Sequence, residues 1–179
     1  MNLPQQLQEF LKYPALKVSD VNTVLPPDEK TFDGLGQATL STFLAGLFKV
    51  TRSQQSAVTI SSQSNPQQLL PIIFNGEEEM NTIAAYADQP ISVVKIKIAE
   101  VSAGYLNLMQ QQPVEETQKA DYLQNLLTDQ RHEILRYVPV GLKLGELLND
   151  GSLEDNTNKM EGPVYSLMHK IENVFSKSD

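Results

Sequence analysis

The chain has 179 residues, 40% of them hydrophobic, enough to bury one sizeable core; a single domain with appendages is expected, and disorder throughout is argued against. Its 22 acidic and 14 basic residues give a formal net charge of −8, with the lysines scattered, which disfavours binding to phosphate backbones. Cysteine is absent, which excludes disulfide frameworks, thiolate metal sites and cysteine nucleophiles, and no apolar stretch is long enough to span a bilayer.

The opening residues Met1-Asn2-Leu3-Pro4-Gln5-Gln6 carry no basic cluster ahead of an apolar run, so no secretory signal is read there and a cytoplasmic protein is expected. Leu3, Leu7, Phe10 and Leu11 form an apolar stripe bracketed by Pro4 and Pro14, the pattern of a short amphipathic helix docked on the core. Residues 18–36 carry Pro26, Pro27, Gly34 and Gly36 among polar groups and read as an irregular arm. In the helix that follows, Leu40, Phe43, Leu44, Leu47 and Phe48 make the buried side, while Ala45 and Gly46 allow close backbone approach. Gly46 costs about 1 kcal/mol of helix propensity relative to alanine, so a packing reason is expected for it.

Residues 52–68 are rich in serine and glutamine and read as loop mixed with frayed helix, with Asn65-Pro66 as a break. The apolar run 67–74 is interrupted by Pro71, and Asn75-Gly76 followed by Glu77, Glu78 and Glu79 reads as a stop and a fresh, solvated helix start, favoured over a cation site. Residues 94–98 alternate as a half-buried strand would. Over the longer segment, however, Ile91, Val94, Ile98, Val101, Tyr105 and Leu108 keep a three-four spacing that only a helix explains. Gly46 and Gly104 lie in comparable small-residue helices, which suggests an internal helical duplication.

In residues 122–148, Leu123, Leu126, Leu127, Ile134 and Leu135 fall on one helical side, and Pro139 fits the first turn of a new helix running to Leu148. The order of leucines, Gln130, Ile134, Pro139, Gly141, Leu142 and paired leucines resembles the closing signature of the YidB-like family of uncharacterised bacterial proteins. Residues 37–48 look like that family's first small-residue helix and residues 84–109 are similar to its central one, so the resemblance covers roughly residues 35–150. Two features depart from the family pattern: the polar stretch 110–118 stands where a glycine-rich connection is usual, and no proline lies near Glu100. The resemblance implies a mostly helical domain and supplies no catalytic residues.

A polar linker over 151–162 precedes Pro163, which opens a last helix over 163–179. There Val164, Leu167, Met168, Ile171, Val174 and Phe175 share one face. Folding back over the core is the plainer use of such a face; docking in a partner's groove, or self-association, is the other.

Neither His132 nor His169 sits in a metal-ligand array, and His132 reads as a solvated surface residue. Gly34-Leu35-Gly36 lacks the preceding strand of a dinucleotide fingerprint, and no GxSxG elbow occurs. Gly141 and Gly145 have small-xxx-small spacing, read here as close packing of soluble helices. Asp28-Glu29 and Glu115-Glu116 fall in solvated segments with no evident cause for a raised pKa.

The expectation is therefore an all-α fold: an N-terminal helix and arm (1–34), a helical core of short helices (35–150), the linker and the appended C-terminal helix. A non-enzymatic protein-binding or scaffolding module without catalytic, cofactor or metal residues is the leading functional reading. Its proposed partner surface is Val164, Leu167, Met168, Ile171, Val174 and Phe175. An enzyme with a site assembled from scattered acid and base residues is the alternative, and a DNA-binding helix-turn-helix is a weaker one, since the recognition helix would offer only Lys143.

Overall fold

The computed structural model describes residues 2–18, 33–74 and 76–150, and among these the regular structure is entirely helical. Helix α1 (Leu3–Phe10) begins at Asn2, whose side chain accepts the Gln5 N–H at 3.2 Å, and Pro4 occupies the first turn, where no N–H is needed. Leu3 and Leu7 are fully buried, so this helix docks on the core as its stripe predicts. Lys12, at φ 56°, then turns the chain away.

Helix α2 (Gly34–Thr51) is the centre of the molecule. Asp33 caps it by accepting the Gly36 N–H at 2.8 Å. The sequence implied one buried side, yet every residue from Gly36 to Phe48 is buried. The reason lies on the other faces, where Ala38, Ser41, Thr42, Ala45 and Gly46 are small enough for neighbouring helices to surround the rod. Its polar side chains are accommodated locally: the Thr39, Ser41 and Thr51 hydroxyls donate to carbonyls one turn back at 2.7–2.8 Å.

Residues 54–61, read from sequence as loop with frayed helix, form α3 (Gln54–Ser61), which buries Ala57 and Ile60 and lies against α7. Two buried residues three apart leave little apolar signal among the serines and glutamines. Helix α4 (Pro66–Ile73) starts at an Asn65 cap and tolerates Pro71 within it. It supplies the expected packing reason for Gly46, because a Cβ there would stand 2.5 Å from Ile73 Cγ2. Helix α5 (Glu78–Ala87) ends at Asp88 in the left-handed conformation.

Helix α6 (Ile91–Gln110) settles the strand-like alternation of 94–98. Val94 and Ile98 are fully buried while Ile96 is 61% exposed, which a helix produces and a half-buried strand does not. Gly104 receives α1, as Gly46 receives α4: a Cβ on it would lie 3.0 Å from Leu7 Cδ1 and 3.1 Å from Leu11 Cδ2.

The 110–118 connection closes with a 3₁₀ turn, Glu116–Gln118, and leads into α7 (Lys119–Asp129) and α8 (Arg131–Leu135). The single helix expected over 122–135 is broken at Gln130, whose side-chain oxygen accepts the Leu3 N–H at 2.6 Å. The helix expected from Pro139 to Leu148 is also divided. A 3₁₀ turn, Val140–Leu142, is separated from α9 (Leu144–Leu147) by Lys143 at φ 44°. One hydrophobic core runs from Leu3 to Leu148. The linker over 151–162 and the helix over 163–179 lie outside the described residues, as do residues 19–32 of the expected arm, whose last residues, 34–36, instead form the first turn of α2 because Asp33 caps it.

Candidate functional site

A pocket of about 210 Å³ opens between the end of α3, the second half of α6 and the start of α7. Ile60, Leu106, Met109 and Leu123 give it apolar walls, each carried inward by the buried side of its helix. Ser61, Gln63 and Gln112 belong to the polar segments that leave α3 and α6, so they reach its edge.

Tyr105 also lines the pocket and is only 2% exposed. Its ring meets Phe43 edge-on at 5.6 Å between centroids, and no group among the described residues hydrogen-bonds its hydroxyl. Burial pushes the Tyr105 phenol well above the ordinary tyrosine value, so the group stays neutral. Several other polar side chains in the lining are hydrogen-bonded within the protein. Tyr122 donates to Gln112 Oε1 at 3.3 Å, Gln112 Nε2 donates to the Leu108 carbonyl at 3.1 Å, and Gln63 Nε2 donates to the Thr59 carbonyl at 3.0 Å. The charged members Lys119 and Glu116 pair with each other. The walls are thus apolar, the edge is polar and the two charges are paired, which suits an uncharged ring or aliphatic group.

A second polar cluster joins the end of α1 to α6. The Tyr13 hydroxyl donates to Glu100 Oε2 at 3.3 Å, and Lys97 Nζ lies 4.3 Å from the Tyr13 ring centroid. Burial first, then the Glu100 and Asp33 carboxylates, push the Tyr13 phenol up. Every group here has a structural partner, so the cluster reads as a brace.

The surface singled out by sequence, Val164, Leu167, Met168, Ile171, Val174 and Phe175, lies outside the described residues, as does His169. His132 is exposed on α8, as expected. The three glutamates at the start of α5 do not share one environment. Glu77 pairs with Lys95 and Glu78 faces solvent, whereas Glu79 turns inward and is 7% exposed, which corrects the uniformly solvated reading. No group of three or more histidine and carboxylate side chains that could hold a metal occurs among the described residues. Gly141 packs on Tyr86, where a Cβ would stand 3.2 Å from Cε2. No helix among the described residues is long and apolar enough to cross a membrane.

Sequence reasoning missed the pocket because its residues come from stretches read as loop (52–68), as polar connection (110–118) and as helix core (Tyr105). The Ala57 and Ile60 pair was the available signal for α3. Comparison of the chain with protein-family models, with curated proteins and with solved structures finds no match.

Proposed function

We propose that the chain is a non-enzymatic helical protein-binding module, working in the cytoplasm, that receives one side chain of a partner in the pocket between α3, α6 and α7. The observation that carries this reading is the size of the pocket. Sites for drug-sized ligands run from about 300 to 1,000 Å³. An engineered apolar cavity of about 150 Å³ already holds benzene. At about 210 Å³ the pocket matches a single large side chain, the kind of buried anchor that dominates binding between proteins. Its serine and glutamine edge supplies the polar rim that surrounds such anchors. The stripe from Val164 to Phe175 is a second contact element in this proposal, motivated by its spacing alone. Membership of the YidB-like family is likewise part of the proposal and rests on the motif in residues 122–148.

The test uses the full chain, a Ser61→Trp variant that fills the pocket, and a variant with Leu167→Asp, Ile171→Asp and Phe175→Asp, all checked for equal helix content and solubility. Partners recovered from native lysate are purified and titrated against each form. Direct binding that weakens at least tenfold on Ser61→Trp is the expected result. Undiminished binding by that variant, or turnover of a metabolite by the purified chain with no partner bound in the pocket, would contradict the reading.

A further inference from the structure

We infer that the pocket selects a tyrosine side chain of the partner protein over an apolar anchor, with the Tyr105 hydroxyl as the group that makes the distinction. This rests on the reading above that the pocket receives a side chain. Tyr105 is 98% removed from solvent, lines the pocket and has no hydrogen-bond partner among the described residues. Among the described residues only Thr42 Oγ1 is both sealed from solvent and unbonded, so the Tyr105 hydroxyl keeps access to a water or a ligand that can complete it. Most other polar side chains in the lining are engaged: Tyr122 with Gln112, Gln112 with Leu108, Gln63 with Thr59, Ser61 with Val58, Ser62 with Thr59, and Lys119 with Glu116; Ser64 and Gln110 are exposed at the rim, not in the buried wall where Tyr105 stands.

A tyrosine phenol is neutral at physiological pH, so Tyr105 can both donate one hydrogen bond and accept another. An incoming phenol matches it in either sense. A phenylalanine or leucine anchor would displace any water at the hydroxyl and leave it unpaired, which is costly in an apolar setting. A phosphorylated or carboxylate tip is disfavoured for a different reason: the one lysine in the lining is neutralised by Glu116.

The probes are p-cresol, the side-chain analogue of tyrosine, and toluene, that of phenylalanine. Each is titrated into the full chain while the methyl resonances of Leu106 and Leu123 are followed by NMR. The full chain is compared with Tyr105→Phe and, as a control, with Tyr122→Phe, whose hydroxyl is already donated within the protein. We expect p-cresol to bind roughly 3- to 10-fold more tightly than toluene, the worth of one net hydrogen bond. That preference should vanish in Tyr105→Phe and persist in Tyr122→Phe. Equal binding of both probes by the unmodified chain, or a preference that survives in Tyr105→Phe, overturns the inference and leaves the pocket reading standing. Failure of both probes to move the two methyls, in the full chain and in Tyr165→Ala alike, overturns the pocket reading itself. Tyr165, 15 positions after Asp150, is this chain's own alternative source of a phenol. Binding of p-cresol only after Tyr165→Ala would make it the occupant and overturn the assignment to a partner.

Discussion

The backbone N–H of Leu3 donates to the side-chain oxygen of Gln130 at 2.6 Å, joining the first turn of α1 to the break between α7 and α8. The first N–H groups of a helix have no partner within it, and this one is buried, so Gln130 satisfies a donor that water cannot reach. Its side chain thereby closes one end of the core on the other. Gln130→Ala removes the acceptor, and we expect a loss of about 1–3 kcal/mol. Urea unfolding checks the magnitude, and faster amide exchange in α1 than in α2 would show that the loss begins at this joint. An unchanged unfolding midpoint would remove Gln130 from the list of structural ties.

The two helix glycines should differ. At Gly46 a Cβ would meet Ile73 Cγ2 at 2.5 Å, and the atom in its way sits on a stiff β-branched side chain. Gly46→Ala is therefore expected to destabilise by about 1–3 kcal/mol despite alanine's better helix propensity. At Gly104 the nearest atoms are the terminal methyls of Leu7 and Leu11, at 3.0 and 3.1 Å, and the ring edge of the exposed Phe10, at 3.2 Å, so Gly104→Ala should cost less. In an Ile73→Ala background the penalty of Gly46→Ala should shrink, a coupling that a double-mutant cycle measures directly.

Thr42 holds the one buried side-chain oxygen among the described residues without a hydrogen bond. Thr39, Ser41 and Thr51 on the same helix all bond a carbonyl one turn back. Replacing the hydroxyl by a methyl of similar shape removes an uncompensated polar group. Thr42→Val is expected to raise stability by about 1 kcal/mol in thermal or urea unfolding. A loss of similar size would mean that the hydroxyl is hydrogen-bonded in solution.

Alkaline conditions should unfold the protein. Burial raises the Tyr13, Tyr86 and Tyr105 phenols above the ordinary value, and at Tyr13 the Glu100 and Asp33 carboxylates add to it. Below the unfolded-state value, about 10, both states are protonated and the stability is fully present. As pH rises beyond it the unfolded chain releases protons that the folded chain retains, and stability falls. Urea melts from neutral pH upward should show that decline, accompanied on unfolding by tyrosinate absorbance. Tyr105→Phe, which has no phenol to ionise, should lose less over the same interval.

Much of the helical skeleton was legible because long apolar periods survive tertiary packing. Ile91 to Leu108 carried enough turns to overrule the strand-like alternation around Ile96, and the stripe of Leu3 and Leu7 bracketed by Pro4 and Pro14 marked α1. Local patterns failed where packing or single residues decide. Helix α3 shows only Ala57 and Ile60 as buried apolar positions, and Lys143 adopts a left-handed conformation that its type does not announce. The candidate site was illegible for a related reason. Tyr105 looks like any core residue in its period, and only the arrangement of α3 and α7 around it makes it part of a pocket wall.

The most direct test of the anchor pocket is a crystal structure of the full chain with p-cresol. One ring is expected between α3 and α7, against Leu106 and Leu123, with its hydroxyl within hydrogen-bond distance of Tyr105 Oη. A pocket left empty at saturating probe, or a ring bound with its hydroxyl turned away from Tyr105, would contradict it.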